Sequence, residues 1–98
     1  MRYRLSLSPE TQRDLKTLPG NYRQRIRKLI QALADDPRPP NSKELDFVIE
    51  EGEVRRIRVD HWRIVYSVIE TAFLQQVVIA GIRRRPPYDY DDIPDLFQ

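Results

Sequence analysis

The stretch Val54 to Tyr66, reading VRRIRVDHWRIVY, holds the residues best suited to chemistry: Arg56, Arg58 and Arg63. A guanidinium stays protonated at physiological pH and presents a planar fork of donors, so three converging arginines make a candidate anion site. Their spacing fits a β-hairpin. With Asp60 and His61 as a two-residue loop, Val59 falls opposite Trp62, Arg58 opposite Arg63, Ile57 opposite Ile64 and Arg56 opposite Val65. Ile57, Val59, Trp62, Ile64, Tyr66 and Val68 then share one face, as a core face should, and the arginines share the other. A three-residue loop would slip the register by one and drive Arg63 toward the core, which is costly for a charge. Like charges directly across a strand pair repel, so Arg58 facing Arg63 calls for solvent or an anionic partner. The arginine face is therefore expected to be left open.

The apolar run from Phe73 to Ile82 leads straight into Arg83, Arg84 and Arg85. Being apolar on both faces, it reads as a central strand. The elements that precede it can also be placed. Tyr3, Leu5 and Leu7 alternate with Arg2, Arg4 and Ser6 as in a half-buried strand. Ser8 has the character of an N-cap, with Pro9 at the first helical position and Glu10 in the first turn of a short helix that buries Leu15 and Leu18. Pro19-Gly20 ends it, and Asn21 is expected to cap a second helix with Tyr22, Ile26, Leu29, Ile30 and Leu33 along one face. Arg23, Arg25, Arg27 and Lys28 lie on its flanks as a solvated face. Residues 35–42, with three prolines, read as a stiff loop, Leu45 to Ile49 as a weak strand and Glu50 to Glu53 as a turn around Gly52. The order predicts an α+β fold: two N-terminal helices packed on one face of a mostly antiparallel sheet of four to five strands, β-α-α-β-β-β(-β).

Composition narrows the chemistry. At 98 residues and 40% hydrophobic, the chain is expected to form a single domain over residues 1–98. It has no cysteine and one histidine, so neither a disulfide framework nor a thiolate metal site is available, and no metal or cofactor is expected. No segment has the length of a signal peptide's apolar region or of a membrane span, and a cytoplasmic protein is the simplest inference. The net charge of +2 is unevenly spread: residues 89–98 contain four aspartates and no basic residue, which leaves +6 on the rest. A basic body with an acidic C-terminal tail fits a polyanion or acidic-peptide partner, the tail either covering the basic face or serving as a solubilising terminus.

Several segments together, in order and spacing, resemble the RelE/ParE superfamily of toxins from type II toxin-antitoxin pairs. They are Leu15-Lys16-Thr17-Leu18-Pro19, Leu33-Ala34-Asp35-Asp36-Pro37-Arg38-Pro39, Arg56-Ile57-Arg58-Val59, Trp62-Arg63-Ile64-Val65-Tyr66, and Ile79-Ala80-Gly81-Ile82-Arg83 with a tyrosine soon after. The resemblance covers nearly the whole chain. It implies a toxin bound by a cognate antitoxin, acting either as an endoribonuclease (an mRNA interferase) on ribosome-bound mRNA or, in the ParE-like alternative, as a DNA gyrase inhibitor through protein contacts. For the nuclease branch, the family pattern falls on Arg56, Arg58, Arg63, Arg83 and Tyr88, with Tyr90 as a rival to Tyr88.

That chemistry suits these residue types. RNA cleavage by its own 2′-hydroxyl requires a base, stabilisation of a pentavalent phosphorane and protonation of the leaving 5′-oxygen, with no metal strictly required. Arginines suit the second task. They are poor bases, and the family's nucleases often carry lysines where this chain has Arg56 and Arg58, so base duty falls to Tyr88, Tyr90 or His61. A tyrosine beside several arginines would have its phenolate favoured. His61 has a suitable intrinsic pKa but sits at the hairpin tip, where an exposed turn residue touching RNA is the expectation. Arg84 and Arg85 are expected to be general RNA contacts, and Tyr88 and Tyr90 are the candidates for stacking on a splayed base. Trp62 and Tyr66, by parity, belong to the core.

Overall fold

The computed structural model describes residues 2–47, 49 and 52–84. Among these the elements run β1 (Arg4–Leu7), α1 (Pro9–Thr17), α2 (Gly20–Ala32), β2 (Ser42–Leu45), β3 (Glu53–Val59), β4 (Trp62–Glu70) and β5 (Gln75–Arg84). The strands form one sheet in the order β1-β5-β4-β3-β2. Only the β1–β5 pair is parallel; the others are antiparallel. β5 therefore lies inside the sheet, as its two apolar faces require. The α+β arrangement of two helices on a mostly antiparallel sheet is the expected one, and no described helix is long and apolar enough to cross a membrane.

Local chemistry sets the helix boundaries. The Ser8 side chain accepts a hydrogen bond from the Thr11 N–H at 3.1 Å and starts α1, with Pro9 just inside. α2 begins two residues earlier than expected. Pro19, not Asn21, is its N-cap, because the Pro19 carbonyl already accepts the Arg23 N–H at 2.9 Å and no side chain caps the end. Leu15, Leu18, Ile26, Ile30 and Leu33 press on Ile57, Ile64, Tyr66, Val68, Val77 and Ile79 in one continuous core. Each such buried aliphatic side chain contributes roughly 1.5–3 kcal/mol. Tyr66, fully buried, directs its hydroxyl to the Pro37 carbonyl at 2.7 Å, which ties the proline loop to the sheet.

Two strand boundaries differ from expectation. β2 spans Ser42–Leu45 rather than Leu45 to Ile49, since its register on β3 runs from Ser42 opposite Ile57 to Leu45 opposite Val54. Phe47 and Ile49 then pack over Val54 and Val65 instead of extending the strand. At the other end, Phe73 is not in β5. It stands in the β4–β5 turn, 99% exposed, where the Thr71 hydroxyl accepts the Phe73 and Leu74 N–H groups.

Candidate phosphate-binding site on the sheet

The hairpin has the expected register: Val59 opposite Trp62, Arg58 opposite Arg63, Ile57 opposite Ile64 and Arg56 opposite Val65. Asp60 takes a left-handed φ of 53°, as a two-residue hairpin loop demands of its first position. The Asp60 carboxylate accepts hydrogen bonds from Tyr22 Oη at 2.9 Å and Arg25 at 3.2 Å, which pins the tip to α2 and holds its pKa below the usual carboxylate range. His61 is exposed beside it. Tyr22 and Trp62 meet in a tilted ring contact against the core, so Trp62 packs and does not line the arginine face.

β5 adds the third arginine to the row. Arg63 on β4 stands opposite Arg83 on β5, so Arg58, Arg63 and Arg83 are in line across three strands on the face away from the helices. A β-bulge makes this possible. Val65 pairs with Gly81 but the next residue, Tyr66, pairs with Ile79, leaving Ala80 as the extra residue. Below the bulge, odd-numbered Val77 and Ile79 point to the core; above it, even-numbered Ile82 does, and Arg83 is turned to the Arg63 side. α1 fastens the bulge. The Ile79 carbonyl accepts the Ser8 N–H at 3.0 Å and the Thr11 hydroxyl at 3.0 Å, and the Ala80 carbonyl accepts the Ser8 hydroxyl at 3.0 Å. Thr11 is wholly buried in consequence. Arg84, opposite Trp62, lies on the other face and is exposed.

Parity holds, but the face is not open. Arg58 is exposed, whereas Arg56 is 8% and Arg63 4% exposed. One physical reason is the second apolar cluster, in which Phe47 and Ile49 cover Val54 and Val65 between the arginine positions. Another is that Arg63 folds back on its own hairpin, donating from Nη1 to the carbonyls of Asp60 and Trp62, each at 3.1 Å. Arg83 turns the opposite way, to α1: its Nη2 donates to Glu10 at 3.1 Å and its Nη1 lies 3.7 Å from Asp14. Asp14 also accepts the Ile82 N–H at 3.4 Å. Burial raises the Asp14 pKa, against the lowering effect of that backbone hydrogen bond.

Glu10 and Asp14 are neighbours of Arg83 that the sequence pattern does not reveal. An acid pair at i and i+4 on a helix is a common surface pattern, and only the packing of α1 along the β5 edge brings it to an arginine 69 positions beyond Asp14. Arg85, Tyr88 and Tyr90 lie outside the described residues. An apolar groove of ≈ 380 Å³, lined among others by Leu5, Leu7, Leu15 and Ile30, is on the helix side and apart from the arginine row.

Comparisons with known proteins agree with this geometry. Residues 5–85 match the family model described as the ParE toxin of the type II toxin-antitoxin system parDE. A candidate toxin RelE1 of Methanocaldococcus jannaschii is 26% identical over 85 residues, covering 87% of this chain and 92% of the relative. The fold is similar to RelE in the RelE–RelB complex of Pyrococcus horikoshii, with a TM-score of 0.75 at 21% identity over 90% of this chain and 100% of that one. It is also similar to a chain of the Mycobacterium tuberculosis toxin-antitoxin complex RelBE2, with a TM-score of 0.68 at 20% identity over 87% and 100% of the two chains. With a family match over most of its length and a RelE-like architecture, the chain belongs to the ParE toxin family and is a RelE/ParE superfamily toxin of a type II toxin-antitoxin system.

Proposed function

We propose that this toxin is a ribosome-dependent endoribonuclease that cuts mRNA by attack of the substrate's own 2′-hydroxyl. The observation that carries the reading is the row Arg58–Arg63–Arg83, one arginine from each of three adjacent strands in cross-strand register. Such a row matches a phosphodiester backbone and the charge that grows on its phosphorane, where arginine forks are most effective. Arg56 stands two residues from Arg58 on the same face and supports the same charge. Tyr88 is assigned the base, with Tyr90 stacking on the displaced nucleotide and Arg85 and His61 as RNA contacts, while Arg84, on the other face of the sheet, is left to RNA contacts outside the row. A cognate antitoxin with an acidic or amphipathic segment would neutralise the toxin by covering this face. The solved RelE relatives in complex with RelB support such a partner, as does the positive charge of the body.

Arg63 is held by two neutral backbone carbonyls, and an entering phosphodiester, being charged, is a stronger acceptor than either. The test is a translation reaction with purified toxin. Cuts in ribosome-bound message, lost in Arg83→Ala, are the expected result. Intact message with gyrase-trapped cleaved DNA would replace this reading by the protein-contact alternative. Four phosphate contacts also imply a logarithmic salt slope of about −3 for single-stranded RNA.

A further inference from the structure

Glu10 and Asp14 play no part in the chemistry above, yet both reach Arg83 across the edge of β5. β1 pairs with β5 only as far as Ile79, so the strand edge beyond it needs another partner. α1 supplies one. Ser8 and Thr11 take the carbonyls at the bulge, Asp14 takes the Ile82 N–H, and Glu10 takes the Arg83 guanidinium. Backbone and side chain at the end of the arginine row are thus gripped by successive turns of one helix.

We propose that Glu10 and Asp14 are positioning residues that fix the orientation of the Arg83 guanidinium at the end of the arginine row. This rests on the nuclease reading for its catalytic consequence. A side chain directly opposite Arg63 is pushed away by like charge and has many rotamers open to it. Two carboxylates on α1 offset the repulsion and select one orientation, so less ordering remains to be done when a phosphate arrives. A purely structural ion pair would hold the edge of β5 without affecting how Arg83 acts, and the two roles separate experimentally.

Glu10 is the better probe, because it makes no backbone contact to β5 and Glu10→Gln keeps an acceptor while removing the charge. Single-turnover cleavage of ribosome-bound message is measured across toxin concentrations for the wild type, Glu10→Gln, Arg83→Ala and the double variant, with thermal melting as the check on folding. The expected result is a rate constant about tenfold lower in Glu10→Gln, the scale of one hydrogen bond to a charged group, with half-saturation unchanged. The double variant should be no slower than Arg83→Ala. An unchanged or faster Glu10→Gln, or losses that multiply in the double variant, would overturn the proposal. If the wild type leaves message intact, the nuclease reading fails and the proposal is judged by NMR relaxation of the Arg83 Nε–H. Order in the wild type that is lost in Glu10→Gln supports it, and equal order in both overturns it.

Discussion

Arg63 and Arg83 stand directly opposite each other on β4 and β5, yet their guanidinium groups are held by different acceptors, the hairpin carbonyls of Asp60 and Trp62 for one and the carboxylates of α1 for the other. Two like charges at a cross-strand pair are tolerated because each has its own anchoring. The arrangement keeps both arginines in the row while dividing their duties: Arg63 belongs to the hairpin, Arg83 to the helix.

Arg58 and Arg63 should therefore respond differently to truncation. Arg58 is exposed, so Arg58→Ala should weaken RNA binding and leave the melting midpoint nearly unchanged. Arg63→Ala removes a buried, doubly bonded side chain and should cost about 1–3 kcal/mol of stability as well as activity. Chemical denaturation of the two variants alongside RNA binding checks the distinction; equal stability losses would contradict it.

The bulge at Ala80 carries a sharper expectation. Deleting Ala80 removes the extra residue while Gly81, Ile82 and Arg83 keep Val65, Ile64 and Arg63 as partners, so Arg83 should stay in the row and activity that needs it should persist, at a cost in stability from the lost Ser8 bond to the Ala80 carbonyl. Thr11→Val, which removes the hydroxyl that bonds the Ile79 carbonyl, should destabilise by only about 1 kcal/mol because the Ser8 N–H still serves that oxygen. Urea unfolding of Thr11→Val and amide exchange at residues 79–82 would test both halves of this account.

Gly52 fixes the start of β3. Its φ of +87° lies in the left-handed region, and a Cβ there would stand 2.4 Å from the Val68 carbonyl oxygen. Gly52→Ala combines backbone strain with a clash against β4 and should cost at least about 2 kcal/mol. A thermal midpoint within a degree of the wild type would show that this turn does not set the strand pairing.

Glu53 makes stability depend on pH. Burial opposes ionisation of its carboxyl, but hydrogen bonds from Arg38 at 2.6 Å and Arg55 at 2.9 Å outweigh it and hold the pKa below the usual carboxylate value. The folded state therefore binds this proton less readily than the unfolded chain. Its contribution is complete above the ordinary glutamate pKa of about 4.3 and is lost as pH falls through the lowered folded value. Glu53→Gln should flatten the fall in stability over that acid window, as measured by denaturation at a series of pH values.

The legible and illegible parts of the site divide by distance along the chain. Arg58 opposite Arg63 follows from alternation around a two-residue loop, and the core faces of Ile57, Ile64 and Tyr66 follow with it. Which face Arg83 would join was not legible, because the bulge at Ala80 depends on pairing with a strand fifteen residues earlier and on Ser8 and Thr11 beneath it. The burial of Arg56 and Arg63 was equally hidden. It comes in part from Phe47 and Ile49 leaving the expected strand to cover Val54 and Val65, a choice made by tertiary packing over local propensity. Phe73 shows the converse: an aromatic residue at the head of an apolar run, which pattern places in the strand, is held in the turn by hydrogen bonds to Thr71.

The most direct test of the central claim is message cleavage in a translation reaction with the wild type and Arg83→Ala. Cuts within ribosome-bound mRNA that fall by roughly 100- to 1,000-fold in the variant, the scale of one lost donor to a developing oxyanion, are the expected result. Cleavage that continues unchanged without the Arg83 guanidinium, or message left whole by the wild type, would contradict the account.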